Sequence, residues 1–174
     1  MSGQEELVKR EQRKVLVAGS FDPVTKGHMT LIHYAATHFE QVFAVLFVNA
    51  EKNYSFTMAE RKALLEAACA PYDNVMVDQF EGMQYLYAKE KGIDLVIRGY
   101  RNQDDLKYEG LVADFNRTAL PGFETLLLES REEEREISST AIRQMLREKR
   151  DVSPFVPEQT VELLSEFAEN KDWN

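Results

Sequence analysis

Val15-Leu16-Val17-Ala18-Gly19-Ser20-Phe21-Asp22-Pro23-Val24-Thr25-Lys26-Gly27-His28 is the segment that decides the fold. Its first four residues are apolar and rich in β-branched side chains, as suits a short strand buried on both faces. The run passes directly into a turn and then into a helical pattern. Gly19 lets the backbone come close to a ligand, and Pro23 stiffens the turn. Gly27 leaves backbone N–H groups open near the helix start, where the helix dipole favours anions. His28 sits in the first helical turn and can donate to a phosphate oxygen. A lone histidine in such a place is usually incidental. Here a plain strand–turn–helix loop would require the whole string Gly19–His28 to arise by coincidence.

The alternation continues outward. Apolar runs at Val42–Val48, Val75–Phe80, Asp94–Ile97 and Thr125–Leu128 predict four further strands. Between them, Ile32, Ala35, Ala36 and Phe39 fall at helical spacing within Met29–Phe39. Thr57-Met58-Ala59-Glu60 forms a capping box that opens a helix to about Cys69. Gln84–Lys91 predicts a short helix ended by Gly92, and Asp104–Thr118 another. Two C-terminal helices follow, Ser138–Lys149 with Ile142, Met145 and Leu146 on one face, and Pro157–Glu169 with Val161 and Leu164. Such alternation predicts an α/β fold, a five-stranded parallel sheet with helices on both faces. Ligands of these sheets sit at the carboxyl ends of the strands, near the point where strand order reverses. Upstream, residues 1–13 are polar and mixed in charge, which predicts a flexible arm ahead of a single domain over residues 14–174.

Composition limits what this domain can do. The 174 residues, 44% hydrophobic and 29% charged, suit one domain that buries its own core. A net charge of −9 opposes a general nucleic-acid coat, and a small polyanion would need local cations. Cys69, the only cysteine, can form no internal disulfide and no metal site alone, so it reads as a small buried hydrophobe. The opening MSGQEELVKREQRK has no apolar run, and no apolar stretch reaches roughly 18 residues. The expectation is a cytoplasmic protein with no membrane span. His33 and His38 stand at five-residue steps from His28, off one helix face, so no metal site held by histidines is expected.

Three other segments bear on chemistry. Ile97-Arg98-Gly99-Tyr100-Arg101 ends the fourth strand and places two guanidiniums at the ligand edge, where arginine suits bidentate phosphate contacts. Ile137-Ser138-Ser139-Thr140-Ala141-Ile142-Arg143 opens a helix with successive hydroxyls, which cap it and can also hold a phosphate. Lys52 follows the second strand at the same edge, though a loop lysine alone means little. Neither GxxxxGK[ST] nor GxGxxG occurs, which argues against a P-loop NTPase or an ordinary dinucleotide-binding dehydrogenase.

Together these motifs resemble those of the phosphopantetheine adenylyltransferases, within the nucleotidyltransferase superfamily. GSFDPVTKGH resembles that family's leading motif, Asn49–Phe56 its lysine loop, and Val96–Arg101 with Tyr108-Glu109 its arginine segment. Asn116-Arg117, Phe123-Glu124-Thr125, Ser138-Ser139 and Val156-Pro157 continue the match, over roughly residues 14–168. The resemblance implies a Rossmann-like fold, a homohexamer, and adenylyl transfer from ATP to 4′-phosphopantetheine with magnesium on the triphosphate. It further implies catalytic roles for His28, Lys52 and Arg98. Gly19, Ser20, Phe21, His28, Gly99, Arg101, Glu109, Ser138, Ser139 and Thr140 would hold the nucleotide. Ser20, Lys52, Met83, Gln84, Arg98 and Asn116 would hold the acceptor.

The chain departs from the family where an aromatic-rich stretch often precedes the serines. Glu134, Arg135 and Glu136 stand there, within Arg131–Glu136. Four glutamates beside a triphosphate would repel it, so most are expected to face solvent. Either the whole run is a solvated loop, or Glu134 lies near the base or its metal. Thr140–Arg143 also resembles the ISSTxxR motif of nicotinate mononucleotide adenylyltransferases, which makes that activity the alternative. A non-catalytic nucleotide-binding regulator is a third reading, opposed by the intact His28, Lys52 and Arg98.

Overall fold

A computed structural model describes residues 10–173. Five strands, β1 (Glu11–Gly19), β2 (Phe39–Val48), β3 (Val75–Glu81), β4 (Leu95–Tyr100) and β5 (Glu124–Glu129), form one sheet in the order β3-β2-β1-β4-β5. Every neighbouring pair is parallel. The central strand is the one predicted from the deciding segment, and Val15, Leu16, Val17 and Ala18 are all buried. That burial explains its unbroken apolar run.

The flexible arm expected over residues 1–13 lies outside the described residues for its first nine positions. Its last three already belong to β1, with Glu11 paired to Phe39 of β2. Backbone hydrogen bonds carry this extension while Glu11 and Gln12 stay exposed, so hydrophobic pattern gave no sign of it.

Six helices connect and cover the strands: α1 (Lys26–His38), α2 (Met58–Cys69), α3 (Gln84–Lys91), α4 (Gln103–Ala119), α5 (Ser139–Arg147) and α6 (Val161–Glu169). Side chains of β1 alternate between two layers, as the period of a strand requires. Val15 and Val17 pack with Ile32 of α1, Leu64 of α2, Ile142 of α5 and Leu164 of α6. Leu16 and Ala18 face the other way, against Tyr87 and Ala88 of α3. Each fully buried side chain of leucine size stabilises the fold by about 1.5–3 kcal/mol.

Local chemistry sets the helix ends. Thr57 and Glu60 form both bonds of the capping box that starts α2. Gly92 ends α3 at φ 69°, a conformation that costs glycine little. Asn102 caps α4 through its side chain. The last predicted helix divides in two, a short 3₁₀ turn at Glu158–Thr160 followed by α6.

In this strand order the connection after β1 runs to β2 on one side and the connection after β4 runs to β5 on the other, so β1 and β4 flank the switch point. The carboxyl ends of these two strands are Gly19 and Tyr100. A cleft opens between the loops that follow them, as the rule for open α/β sheets requires.

Candidate active site

Ring geometry at His28 is fixed by its own helix cap. The Thr25 backbone N–H donates to His28 Nδ1 at 3.0 Å, and Thr25 Oγ1 lies 3.2 Å from the same nitrogen. Thr25 Oγ1 in turn accepts from the His28 backbone N–H at 3.4 Å. An amide can only donate, so Nδ1 accepts and the neutral imidazole carries its proton on Nε2. The ring also meets Phe21 edge-on, 4.8 Å between centroids. Burial, and then the charge of nearby Arg98, push the His28 pKa down to about 4. His28 is therefore neutral near pH 7 and offers a hydrogen-bond donor, not a proton source. Phe21 holds a positive φ of 47°, and its ring lies so close to Gly19 that a Cβ there would meet it at 3.2 Å. A larger residue at position 19 would press on the Phe21 ring and crowd the cleft.

Arg98, at the end of β4, is half-buried, and each of its three nitrogens donates one hydrogen bond within the protein, which leaves N–H groups over for a ligand. Its Nε and Nη2 donate to both oxygens of Glu109 at 3.1 and 2.9 Å, and Nη1 donates to the Ala18 carbonyl at 2.6 Å. Glu109 is buried on α4 and does not line the cleft. Both of its carboxylate oxygens are taken up by Arg98, so the pair holds that guanidinium at the cleft. Arg101 is more open and pairs with Asp105 at 3.1 Å.

The lysine loop is clamped from behind. Both oxygens of Asp22, itself buried, accept backbone N–H groups, from Phe56 and Ser55, each at 2.9 Å. Arg61 of α2, also buried, donates to the Phe56 and Ser20 carbonyls and stacks 3.9 Å over the Tyr54 ring. These anchors carry Lys52 to the edge of β1, where its Nζ lies 3.4 Å from Ser20 Oγ. Opposite, Ser138 caps α5 through Ala141 N, and Ser139 Oγ donates to the Pro23 carbonyl at 2.8 Å. Arg143 Nη1 donates to the Asp22 carbonyl at 2.8 Å. These bonds dock the start of α5 against the turn after β1.

Every residue assigned from the sequence to catalysis or substrate binding, except Glu109, lines this one cleft of about 1620 Å³. One small ligand needs only roughly 300–1,000 Å³, so two substrates fit side by side. On the α3 and α4 wall, Gln84 Oε1 and Asn116 Nδ2 are buried and make no hydrogen bond to the described residues. A buried acceptor and donor without partners are costly unless a ligand satisfies them. A smaller hollow of about 550 Å³ lies at the amino ends of β1–β3, the wrong edge of the sheet for this chemistry.

Sequence reasoning missed Asp22 and Arg61 as individual residues, gave Thr25 only as a position of the leading motif, and gave Arg143 only as part of a string. Thr25 preceding Gly-His carried a legible capping signal. An arginine on an amphipathic helix gave none.

Comparison with known proteins agrees with this geometry. The cytidylyltransferase-like family model matches residues 16–145. A phosphopantetheine adenylyltransferase of Alkaliphilus metalliredigens is 39% identical over 147 residues, 84% of this chain and 94% of the relative. One from Staphylococcus carnosus is 36% identical over 89% of this chain and 96% of its own length. The crystal structure of a putative nicotinate-nucleotide adenylyltransferase from Vibrio parahaemolyticus superposes with a TM-score of 0.67, covering 92% of this chain and 98% of that one. At 18% identity that likeness shows the fold alone. Fold and cleft define a nucleotidyltransferase of the α/β, Rossmann-like type. Within that class, the chain belongs to the phosphopantetheine adenylyltransferase family.

Proposed function

We propose that the chain transfers the adenylyl group of ATP to the phosphate of 4′-phosphopantetheine, giving dephospho-coenzyme A and pyrophosphate. The observation that carries this reading is the neutral, tautomer-fixed His28 at the switch point, facing the cleft shared by Lys52, Arg98 and the start of α5. An acceptor phosphate oxygen attacks the α-phosphorus, and the bond from that phosphorus to the α,β-bridging oxygen breaks in line. No covalent enzyme intermediate is needed. Positioning and charge stabilisation supply the catalysis.

In this reading Ser20 and Lys52 hold the incoming phosphate, with Arg98 beside them, oriented by Glu109. His28 Nε2–H donates to the α-phosphate oxygens as charge redistributes. Backbone N–H groups of Ser139 and Thr140 open α5 and hold the β- and γ-phosphates, as helix N-termini do. Gln84 Oε1 and Asn116 Nδ2 suit the amide groups of the pantetheine arm, with Met83 packing beside them. Among the described residues no cluster of three or more metal-ligating side chains occurs. Magnesium fits the site as part of its triphosphate substrate, the usual mode for this ion.

A single domain over residues 14–174 is part of the same proposal. So is self-assembly, supported by the exposed Tyr108, Leu111 and Phe115 on α4. Sedimentation of the full chain tests the hexamer that the resemblance implies. A cytoplasmic location belongs to the same proposal, and among the described residues no helix is long and apolar enough to cross a membrane.

Pyrophosphate release with ATP and each of two acceptors, 4′-phosphopantetheine and nicotinate mononucleotide, tests the function. Turnover with the first and none with the second is expected. The reverse result would assign the chain the other adenylyl acceptor.

A further inference from the structure

Glu134 stands apart from its acidic neighbours. Glu132, Glu133 and Glu136 are exposed, while Glu134 is half-buried and lines the cleft. Its backbone is fixed at both ends, with N–H donating to the Arg131 carbonyl at 3.0 Å and its carbonyl accepting from Ile137 N at 2.9 Å. Its Oε1 accepts from the Thr30 hydroxyl of α1 at 2.6 Å. No lysine or arginine of the described residues lies within ion-pair distance of it. Nearby Arg135 turns instead to Glu129. A carboxylate held by one neutral donor, facing a cleft proposed for a polyanion, calls for a further neutral donor from the ligand.

The surroundings suit a planar base. Leu31, Leu128 and Ile137 line the same cleft as Glu134. Gly99 has no side chain to intrude, and a Cβ there would meet Leu31 at 3.3 Å and the Leu128 carbonyl at 3.7 Å. Glu134 precedes Ser138 by four residues, at most roughly 14 Å of extended chain. The base and triphosphate ends of one nucleotide can therefore reach both.

We propose that Glu134, steadied by Thr30, reads the exocyclic amine of a 6-amino purine and rejects 6-oxo purines. This deepens the adenylyl-transfer reading and rests on it. An amine N–H donates to the free carboxylate oxygen. A 6-oxo group would set an acceptor against an anion, leaving both without a partner. A hydrogen bond to a charged group is worth roughly tenfold to hundredfold in affinity.

Calorimetric titration of the full chain with magnesium-ATP and magnesium-ITP tests this without any acceptor present. Wild type is expected to bind ATP at least about tenfold more tightly than ITP. Glu134→Gln, nearly isosteric, offers an amide N–H to the 6-oxo group, so the ratio falls close to one. Glu134→Ala brings it below about threefold. Removing a negative charge near a triphosphate strengthens both nucleotides alike, and the ratio cancels that effect. An unchanged ratio in both variants, even with both nucleotides binding more tightly, overturns the assignment and leaves Glu134 a solvated carboxylate. So does a wild type that binds ITP as well as ATP. Thermal melting confirms that each variant folds. Failure to form dephospho-coenzyme A would sink the adenylyl-transfer reading separately, because the binding ratio needs no turnover.

Discussion

Glu109→Ala removes the carboxylate that orients Arg98. The two side chains are 8% and 24% exposed, and their contact is bidentate. Removing one member of a buried pair costs about 3–5 kcal/mol. Here Arg98 keeps the Ala18 carbonyl as an acceptor, and its partial exposure lets water reach the freed nitrogens. The expected loss is therefore lower, about 2–3 kcal/mol. Urea unfolding followed through Trp173 fluorescence measures it. Because both of its oxygens face Arg98, its effect on catalysis is expected to pass through the guanidinium it holds. The KM for phosphopantetheine should rise by about tenfold, the value of roughly 1.4 kcal/mol of lost orientation, while the KM for ATP moves less than threefold. Glu109→Gln keeps one acceptor and should recover part of both losses. A stability loss with an unchanged acceptor KM would show that Glu109 is structural only. A rise confined to the ATP KM would return Glu109 to the nucleotide and refute the positioning argument.

Other consequences are as direct. His28→Ala should lower kcat by about 10²–10³, as for loss of one preorganised donor, with a modest loss of stability because the buried Thr25 N–H loses its acceptor, and less than threefold loss of kcat rejects the role. Because its folded pKa is depressed to about 4 from 6.5, the stability tied to neutral His28 is complete above pH 6.5 and is lost as pH falls through 4. An imidazole titration by NMR showing a midpoint near 6.5 in the folded protein contradicts this. Arg98→Ala should weaken phosphopantetheine more than ATP in separate calorimetric titrations, and the opposite order reverses the assignment. Asp22→Ala strips two backbone N–H groups of their acceptor, which at about 1–3 kcal/mol per buried group should lower stability and raise the acceptor KM through loosened Lys52. Unchanged hydrogen-exchange protection at Ser55 and Phe56 would disprove the clamp.

The sequence alone determined the layered α/β plan, because strand and helix periods are local properties. The Val15–Ala18 run, the Thr57–Glu60 capping box and the Gly92 stop each lie where their own neighbours require. Motif order also carried His28, Lys52 and Arg98 to one edge of the sheet, since a parallel strand delivers its following loop to its carboxyl end. Tertiary structure decided what those residues touch. Arg61 reads as a surface helix residue until α2 folds against Ser20, 41 positions away in the chain. Arg143 meets Asp22 across 121 positions, and no local pattern encodes a bond of that span. The distinction between Glu134 and its acidic neighbours was likewise settled by Thr30, 104 residues distant. Glu109 shows the same division from the other side. Its place in a family motif was legible, but only the packing of α4 on β4 turned its carboxylate toward Arg98 and away from the cleft. Local sequence sets conformation through sterics and capping, whereas partners between side chains exist only once the sheet has brought distant segments within hydrogen-bond reach.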